Sequence, residues 1–216
     1  MIFHKNTITN KKIPKKQFYD NCELKPSIKK RFVNEIESIV IVNKFNSETL
    51  NIPKTDEVEE ILVFDITLKE NKYIDKIDEV LMFIDKSVPY PILYQFKIGE
   101  KQIYKMAYKK RSQNNPNKSI VDVYLNSWGD DLFLEDIDKI FNALNMKILY
   151  DNMMRLFLRE NEGDIELAIE KEKKHICNMN EIGKLNKLMC KEKQADKQYK
   201  IHGEIKRLEK EIDVVD

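Results

Sequence analysis

Val58–Lys69, VEEILVFDITLK, is the stretch on which the reading of this chain turns. Counted in twos, Leu62, Phe64, Ile66 and Leu68 form an apolar row. The alternate row, Ile61, Val63, Asp65, Thr67 and Lys69, starts apolar and turns polar. Side chains on a strand alternate between faces, so the pattern describes a central strand with one buried face and a second face that meets water at its far end. Asp65, Thr67 and Lys69 then sit either at a site of chemistry or at an ordinary strand end.

Working outward, YIDKIDEVLMFID places Ile74, Ile77, Val80, Leu81 and Ile84 at helical spacing, and PYPILYQFKI follows as another apolar run. Strand, amphipathic helix, strand is a crossover unit that makes its two strands parallel. Gly99 and Glu100 then stand where a two-residue hairpin turn belongs, so QIYKMAYKK is expected to return antiparallel. RSQNNPNKS (111–119) reads as a mobile surface loop, and VDVYLNSW as a last strand. On the N-terminal side, Pro14 starts a short helix carrying Phe18, Tyr19 and Cys22, and a second helix starts near Pro26. ESIVIVNKF is the first strand, followed by a loop at Asn46, Ser47, Asn51 and Pro53. From Leu134 the period becomes helical, and Ile137 through Leu158 read as one long helix with a broad apolar face lying on the sheet.

The expected fold is therefore α+β: a mixed β-sheet of about five strands with packed helices, and a charged helical C-terminal arm. The boundary falls at the Gly163–Asp164 break, giving a globular domain at 1–163 and an arm at 164–216. In the arm Ile201, Ile205, Leu208, Ile212 and Val215 repeat at four and three, while Ile182, Leu185 and Met189 begin a second seam. Two readings stay open, an antiparallel hairpin within one chain or a coiled coil with another subunit; in either case Ile201, Ile205, Leu208 and Ile212 are the partner-binding candidates.

A chain of 216 residues with 42% hydrophobic and 35% charged residues supports one good core plus a solvated portion. Its apolar runs are too short to cross a bilayer, and no apolar signal segment follows the first lysines, so the expectation is a cytoplasmic protein with no membrane contact. Cys22, Cys177 and Cys190 have no metal-ligand spacing and read as reduced, mostly structural thiols. The net charge of +1 conceals an asymmetry. Residues 1–54 hold 11 basic and 5 acidic residues, 55–163 hold 15 and 20, and 164–216 hold 12 and 12. The basic excess is N-terminal, and Lys15, Lys16, Lys29, Lys30 and Arg31 are the nucleic-acid-binding candidates; a solvated basic face is the plainer reading.

Catalytic motifs are few. The five glycines form no phosphate loop, and there is no nucleophile elbow and no His-Glu-x-x-His helix. His4, His175 and His202 fall in a start expected to be disordered and in the charged tail, which gives neither a triad nor a metal set. No metal site or cofactor is expected on the main reading. One constellation supports an alternative: Asp65 on the organising strand and Gln95 with Lys97 on the next resemble the acid and Gln-x-Lys set of metal-dependent nucleases, with Mg²⁺ held by the oxygens and Lys97 at the phosphate. Thr67 stands where a second acid is expected, and a helix intervenes between the two strands.

IPKKQFYDN, KPSIKKRFVNEIESIVIVNKF, NSETLNI, VEEILVFDITLK, IDKSVPYPILYQF and MAYKKR together resemble the bacterial and archaeal domain-of-unknown-function family numbered 4391, over nearly the whole chain. The resemblance implies no established activity and no catalytic residue. It implies genes beside helicases and DNA methyltransferases of restriction-type defence loci. The expected function is a non-catalytic binding or scaffolding accessory of a DNA-processing or phage-defence system, with a helicase or methyltransferase as protein partner, DNA contact, and homodimer formation through the arm.

Overall fold

A computed structural model describes residues 3–19, 25–112, 115–128, 137–159 and 162–213. The chain divides into two compact units, Met1–Phe157 and Leu158–Asp216. The first is α+β. Among the described residues its sheet has six strands in sequence order: β1 (Ile8–Lys12), β2 (Ile36–Asn46), β3 (Glu60–Leu68), β4 (Ile92–Ile98), β5 (Lys101–Ser112) and β6 (Asn115–Trp128). The β3–β4 pair is parallel and every other neighbour is antiparallel, so the sheet is mixed. The short helices α1 (Lys16–Tyr19) and α3 (Ser47–Leu50) accompany α2 (Pro26–Glu35), α4 (Asp78–Ser87), α5 (Ile137–Phe141) and α6 (Met146–Arg155).

The VEEILVFDITLK pattern acts as its alternation requires. Leu62, Phe64 and Ile66 are buried in one core with Val80, Leu81 and Ile84 of α4 and with Phe18 and Phe32 from α1 and α2. Each such side chain, removed from water, stabilises by about 1.5–3 kcal/mol. On the other face Ile61 and Val63 are buried, Asp65 is half-buried and Thr67 is exposed. The polar end of that row is where the strand meets solvent. Tyr150 of α6 lies at the same side of β5, stacked on Tyr108 with ring centroids 5.7 Å apart, its hydroxyl donating to the Ala107 carbonyl and accepting from the Lys109 amide.

Two acidic residues of α4, Asp78 and Asp85, are seven apart and share one helix face. Opposite them, Lys105 and Lys109 are four apart on one face of β5, and the pairs meet at 2.8 Å and 3.1 Å. Asp85 and Lys109 each keep only 2% of their side-chain surface. The Asp85 carboxylate also accepts from the Tyr94 hydroxyl at 3.0 Å and from the Tyr124 hydroxyl, while Lys109 Nζ donates to the Val88 and Tyr90 carbonyls. Burial pushes the Asp85 carboxyl up, opposed by the Lys109 charge beside it. The same burial pulls the Lys109 ammonium down, opposed by Asp85. The network ties α4, β4, β5 and β6 together, with every member bonded.

Several expectations need correction. The first residues are ordered from Phe3: a helical turn at Lys5–Thr7 leads into β1, a sixth strand that the polar sequence ITNKK concealed. Most of the loop expected at 111–119 is strand, because β5 runs to Ser112 and β6 starts at Asn115, with Arg111 opposite Ser119; residues 113–114 lie outside the described residues. The loop after β2 contains α3, where Asn46 and Thr49 form a capping box. The long helix expected from Leu134 is two helices. Asn145 accepts from the Ile148 amide as the cap of α6, and Leu144 is left 82% exposed in the break; residues 129–136 lie outside the described residues, as does Cys22. Among the described residues no helix is long and apolar enough to cross a membrane.

Removing one member of the buried pair strands the other. Lys109→Met is expected to lower the unfolding free energy by about 3–5 kcal/mol, measured as a shift of the urea midpoint, with Asp85→Leu added to Lys109→Met recovering most of that loss.

Candidate nucleic-acid interface

The polar end of the second sheet face is built by register. Lys12 pairs with Val40, Val40 with Asp65, and Asp65 with Gln95. Residues directly opposite in a sheet point to the same side, so these four form one row across four strands. At about 4.8 Å per strand the row spans roughly 14 Å. Lys97 stands two residues beyond Gln95 on the same face, opposite Gln102. Lys12 and Lys97 are exposed, and Asp65, Gln95 and Gln102 half-buried. Asp65, Gln95 and Lys97 are therefore brought together, and the helix between β3 and β4 is what makes the strands parallel and sets Asp65 level with Gln95.

The N-terminal basic candidates lie on and beside α1 and α2, which meet through Phe18 and Phe32. Lys16, Lys29 and Lys30 are exposed. Lys29 and Lys30 belong to α2, whose Phe32 packs into the core on the other side of the sheet. Arg31 is a tie between helices: its guanidinium bonds both oxygens of Glu35, at 2.7 Å and 3.1 Å, and also Glu79 and the Lys76 carbonyl. The Glu35 hydrogen bond is the main reason its charge is held more firmly than usual. Lys15 donates to the Ile36 carbonyl at 2.7 Å, and burial, followed by the nearby Lys69 charge, pulls its ammonium down. Lys15 and Lys69 thus add positive charge at the end of β3. Lys12 and Lys97, 85 positions apart in the sequence, flank Asp65.

Beside this row lies a cleft of about 280 Å³. Asn10, Asn43, Gln95 and Gln102 contribute amides to it, and Ile8, Val42, Tyr104 and Phe3 its apolar walls. Two β-bulges shape it. One lies between Ile8 and Lys11 of β1, where Asn10 takes a left-handed conformation with φ 48°, and the other between Ile41 and Asn43 of β2. The second bulge exchanges the faces of β2: Ile39 and Ile41 face α4, whereas Asn43 and Phe45 pair with Val63 and Ile61 on the opposite side. Asn43 is buried at 6% exposure and donates through Nδ2 to the Thr7 hydroxyl at 2.8 Å. Behind the cleft Phe3, Phe45 and Phe141 pack edge to face, with centroids 5.1–6.2 Å apart. None of the eight lining side chains is charged. The cleft was missed from sequence because it depends on β1 and on both bulges, none of which leaves a period in the residues.

For a metal the donor set is thin. Among the described residues no group of three His, Cys, Asp or Glu is placed to hold an ion. Asp65 and the Gln95 amide offer one carboxylate and one neutral oxygen, at the low end of what Mg²⁺ sites draw from protein. His4 is exposed and sits edge to face with Phe141; His202 is exposed on the arm, and Cys177 and Cys190 are free, exposed thiols there.

The second unit is a helical hairpin of α7 (Ile165–Met189) and α8 (Ala195–Asp213). Asp164 caps α7 by accepting from the Leu167 amide. Ile182 and Leu185 pack with Ile205 and Leu208, joined by Met189, Ile201 and Ile212. The seam nominated for partner binding thus packs in cis.

An α+β domain with a mixed six-stranded sheet and a helical hairpin arm is the class of protein these features define. Residues 5–212 match the family described as a domain of unknown function, DUF4391, and the chain belongs to that family. No curated protein and no solved structure matches it.

The hairpin seam makes a local expectation. Ile205→Ala with Leu208→Ala, each removing about 2–5 kcal/mol of packing, is expected to abolish amide-exchange protection in α8 while leaving β3 and β4 protected as before, in hydrogen exchange followed by mass spectrometry.

Proposed function

We propose that this protein is a non-catalytic accessory of a DNA-processing or defence system and engages nucleic acid through the open end of the β3–β4–β5 face. The observation that carries this reading is the register row Lys12–Val40–Asp65–Gln95 with Lys97 beside it, a half-buried polar row flanked by exposed lysines. Lysines on a rigid sheet neutralise backbone phosphates by releasing counterions. Lys15 and Lys69 extend the same charge toward the end of β3. The defence context rests on the family resemblance, with a helicase or methyltransferase as the enzyme served. A homodimer through the arm is a weaker part of this reading, since the apolar seam packs within one chain.

A second reading, a divergent metal-dependent nuclease, is favoured by one observation: Asp65 and Gln95 are direct neighbours, with Lys97 on the same face. In it Asp65 and Gln95 would hold Mg²⁺, which would polarise the phosphate, and Lys97 would stabilise developing charge.

Lys12→Glu with Lys97→Glu is expected to weaken DNA binding at least about tenfold and to reduce the slope of log affinity against log salt by about two, in fluorescence anisotropy titrations at several salt concentrations. An unchanged slope removes the nucleic-acid reading. Plasmid cleavage by wild type in Mg²⁺, lost in Asp65→Ala and in Lys97→Ala, replaces it with the nuclease.

A further inference from the structure

We infer that the amide-lined cleft beside Asp65 is a pocket for one unstacked nucleobase of a single strand. The inference deepens the reading above: the lysine-flanked row takes the backbone, and the cleft takes a base. Three observations point to this ligand class.

The first is the chemistry of the lining. Asn10, Asn43, Gln95 and Gln102 present both N–H donors and carbonyl acceptors, and no charge. A phosphate, a carboxylate or a metal ion finds no opposite charge there. A neutral heterocycle with donors and acceptors along its edge finds complementary partners, as Asn and Gln amides do with base edges. The half-buried Ile8 and Val42 add apolar surface against which a planar ring can lie.

The second is size. About 280 Å³ lies at the lower limit of small-molecule pockets, which run from roughly 300 Å³ upward. A single ring system fits better than a peptide or an oligosaccharide.

The third is that the cleft is constructed. Asn10 lies in the left-handed region at a bulge of β1, and a separate bulge of β2 turns Asn43 to this face. Bulges re-aim side chains and recur beside binding sites. Asn43, at 6% exposure, has its Nδ2 fixed by Thr7, which leaves its carbonyl oxygen as the group offered to a ligand. Gln95 belongs both to the cleft and to the row that carries Lys12 and Asp65, so a base in the cleft places its own phosphate near the lysines.

The test compares two single-stranded oligonucleotides of equal length, one with normal bases and one built entirely of abasic tetrahydrofuran units, by fluorescence anisotropy with the full chain. The base-bearing strand is expected to bind at least about tenfold more tightly, because an abasic unit has no edge to pair with the amides and no ring to place against the apolar wall. Gln102→Ala, at a half-buried surface position, is expected to erase that difference without altering the abasic strand; Gln102→Leu, which keeps the volume and removes the amide, gives a second variant. Equal binding of the two strands overturns the pocket and leaves the backbone-binding reading standing. If neither strand binds, that reading falls, and titration with adenosine and with cytidine decides the cleft separately. NMR shifts confined to the side-chain amides of Asn10, Asn43, Gln95 and Gln102 uphold it, and their absence overturns it.

Discussion

The parallel pairing of β3 and β4 is the constraint from which the rest follows. Leu62, Val63, Phe64, Asp65 and Ile66 stand opposite Ile92, Leu93, Tyr94, Gln95 and Phe96. Parallel neighbours cannot be joined by a tight turn, so the chain between them must cross over one face, and α4 is that crossover. Once α4 covers Phe64, Ile66, Tyr94 and Phe96, the alternate residues face the other way. A slip of one residue would drive Asp65 and Gln95 into the core and expose the aromatic row, so the register is strongly determined. The adjacency of Asp65 and Gln95 is a consequence of the apolar register on the opposite side.

Hydrophobic registration alone leaves α4 free to slide along its strands. The Asp78–Lys105 and Asp85–Lys109 pairs remove that freedom, since residues seven apart on a helix and four apart on a strand both advance by roughly 10–13 Å. The inner pair costs desolvation that its Coulomb attraction only partly repays, so its contribution to net stability is small. Its contribution is to alignment. Lys109 also fixes the Val88 and Tyr90 carbonyls, anchoring the entry to β4 at the point where the parallel register begins.

The sequence carried the α+β class, the crossover unit, the Gly99–Glu100 hairpin and the cap at Asp164, because each rests on local periodicity or on a residue with a single backbone habit. Gly99 does adopt a positive φ of 63°. Features that depend on tertiary partners left no such trace. β1 is an edge strand with four of five residues exposed, so burial wrote no alternation into ITNKK. The α5–α6 break is one Asn cap inside an otherwise continuous helical period. Nothing in the sequence marks Asp85 and Lys109 as buried, because charge normally signals solvent, and only the fold reveals that each buries the other. The partners of the basic residues are likewise set by the fold: Arg31 is bound to carboxylates, while Lys97 lies far along the chain beside Asp65.

Asp65 is the group whose role decides between binder and enzyme, and electrostatics weighs on that choice. A carboxylate about 5 Å from a phosphate repels it by about 1 kcal/mol in water and by more at a half-buried site, so a binding surface carries one only if the strand is routed past it or a cation stands between. A cation in that place would draw on Asp65 and otherwise on water and the phosphate itself, since among the described residues no three His, Cys, Asp or Glu side chains are placed together to hold one. The proposed reading takes the first course, routing. With Lys12 on one side of Asp65 and Lys97 on the other, a backbone held by the two lysines passes along the rim rather than over the carboxylate. On the proposed reading Asp65 would act as a repulsive divider, turning the strand toward the neutral amides of Gln95 and Gln102, which suit a base better than a phosphate.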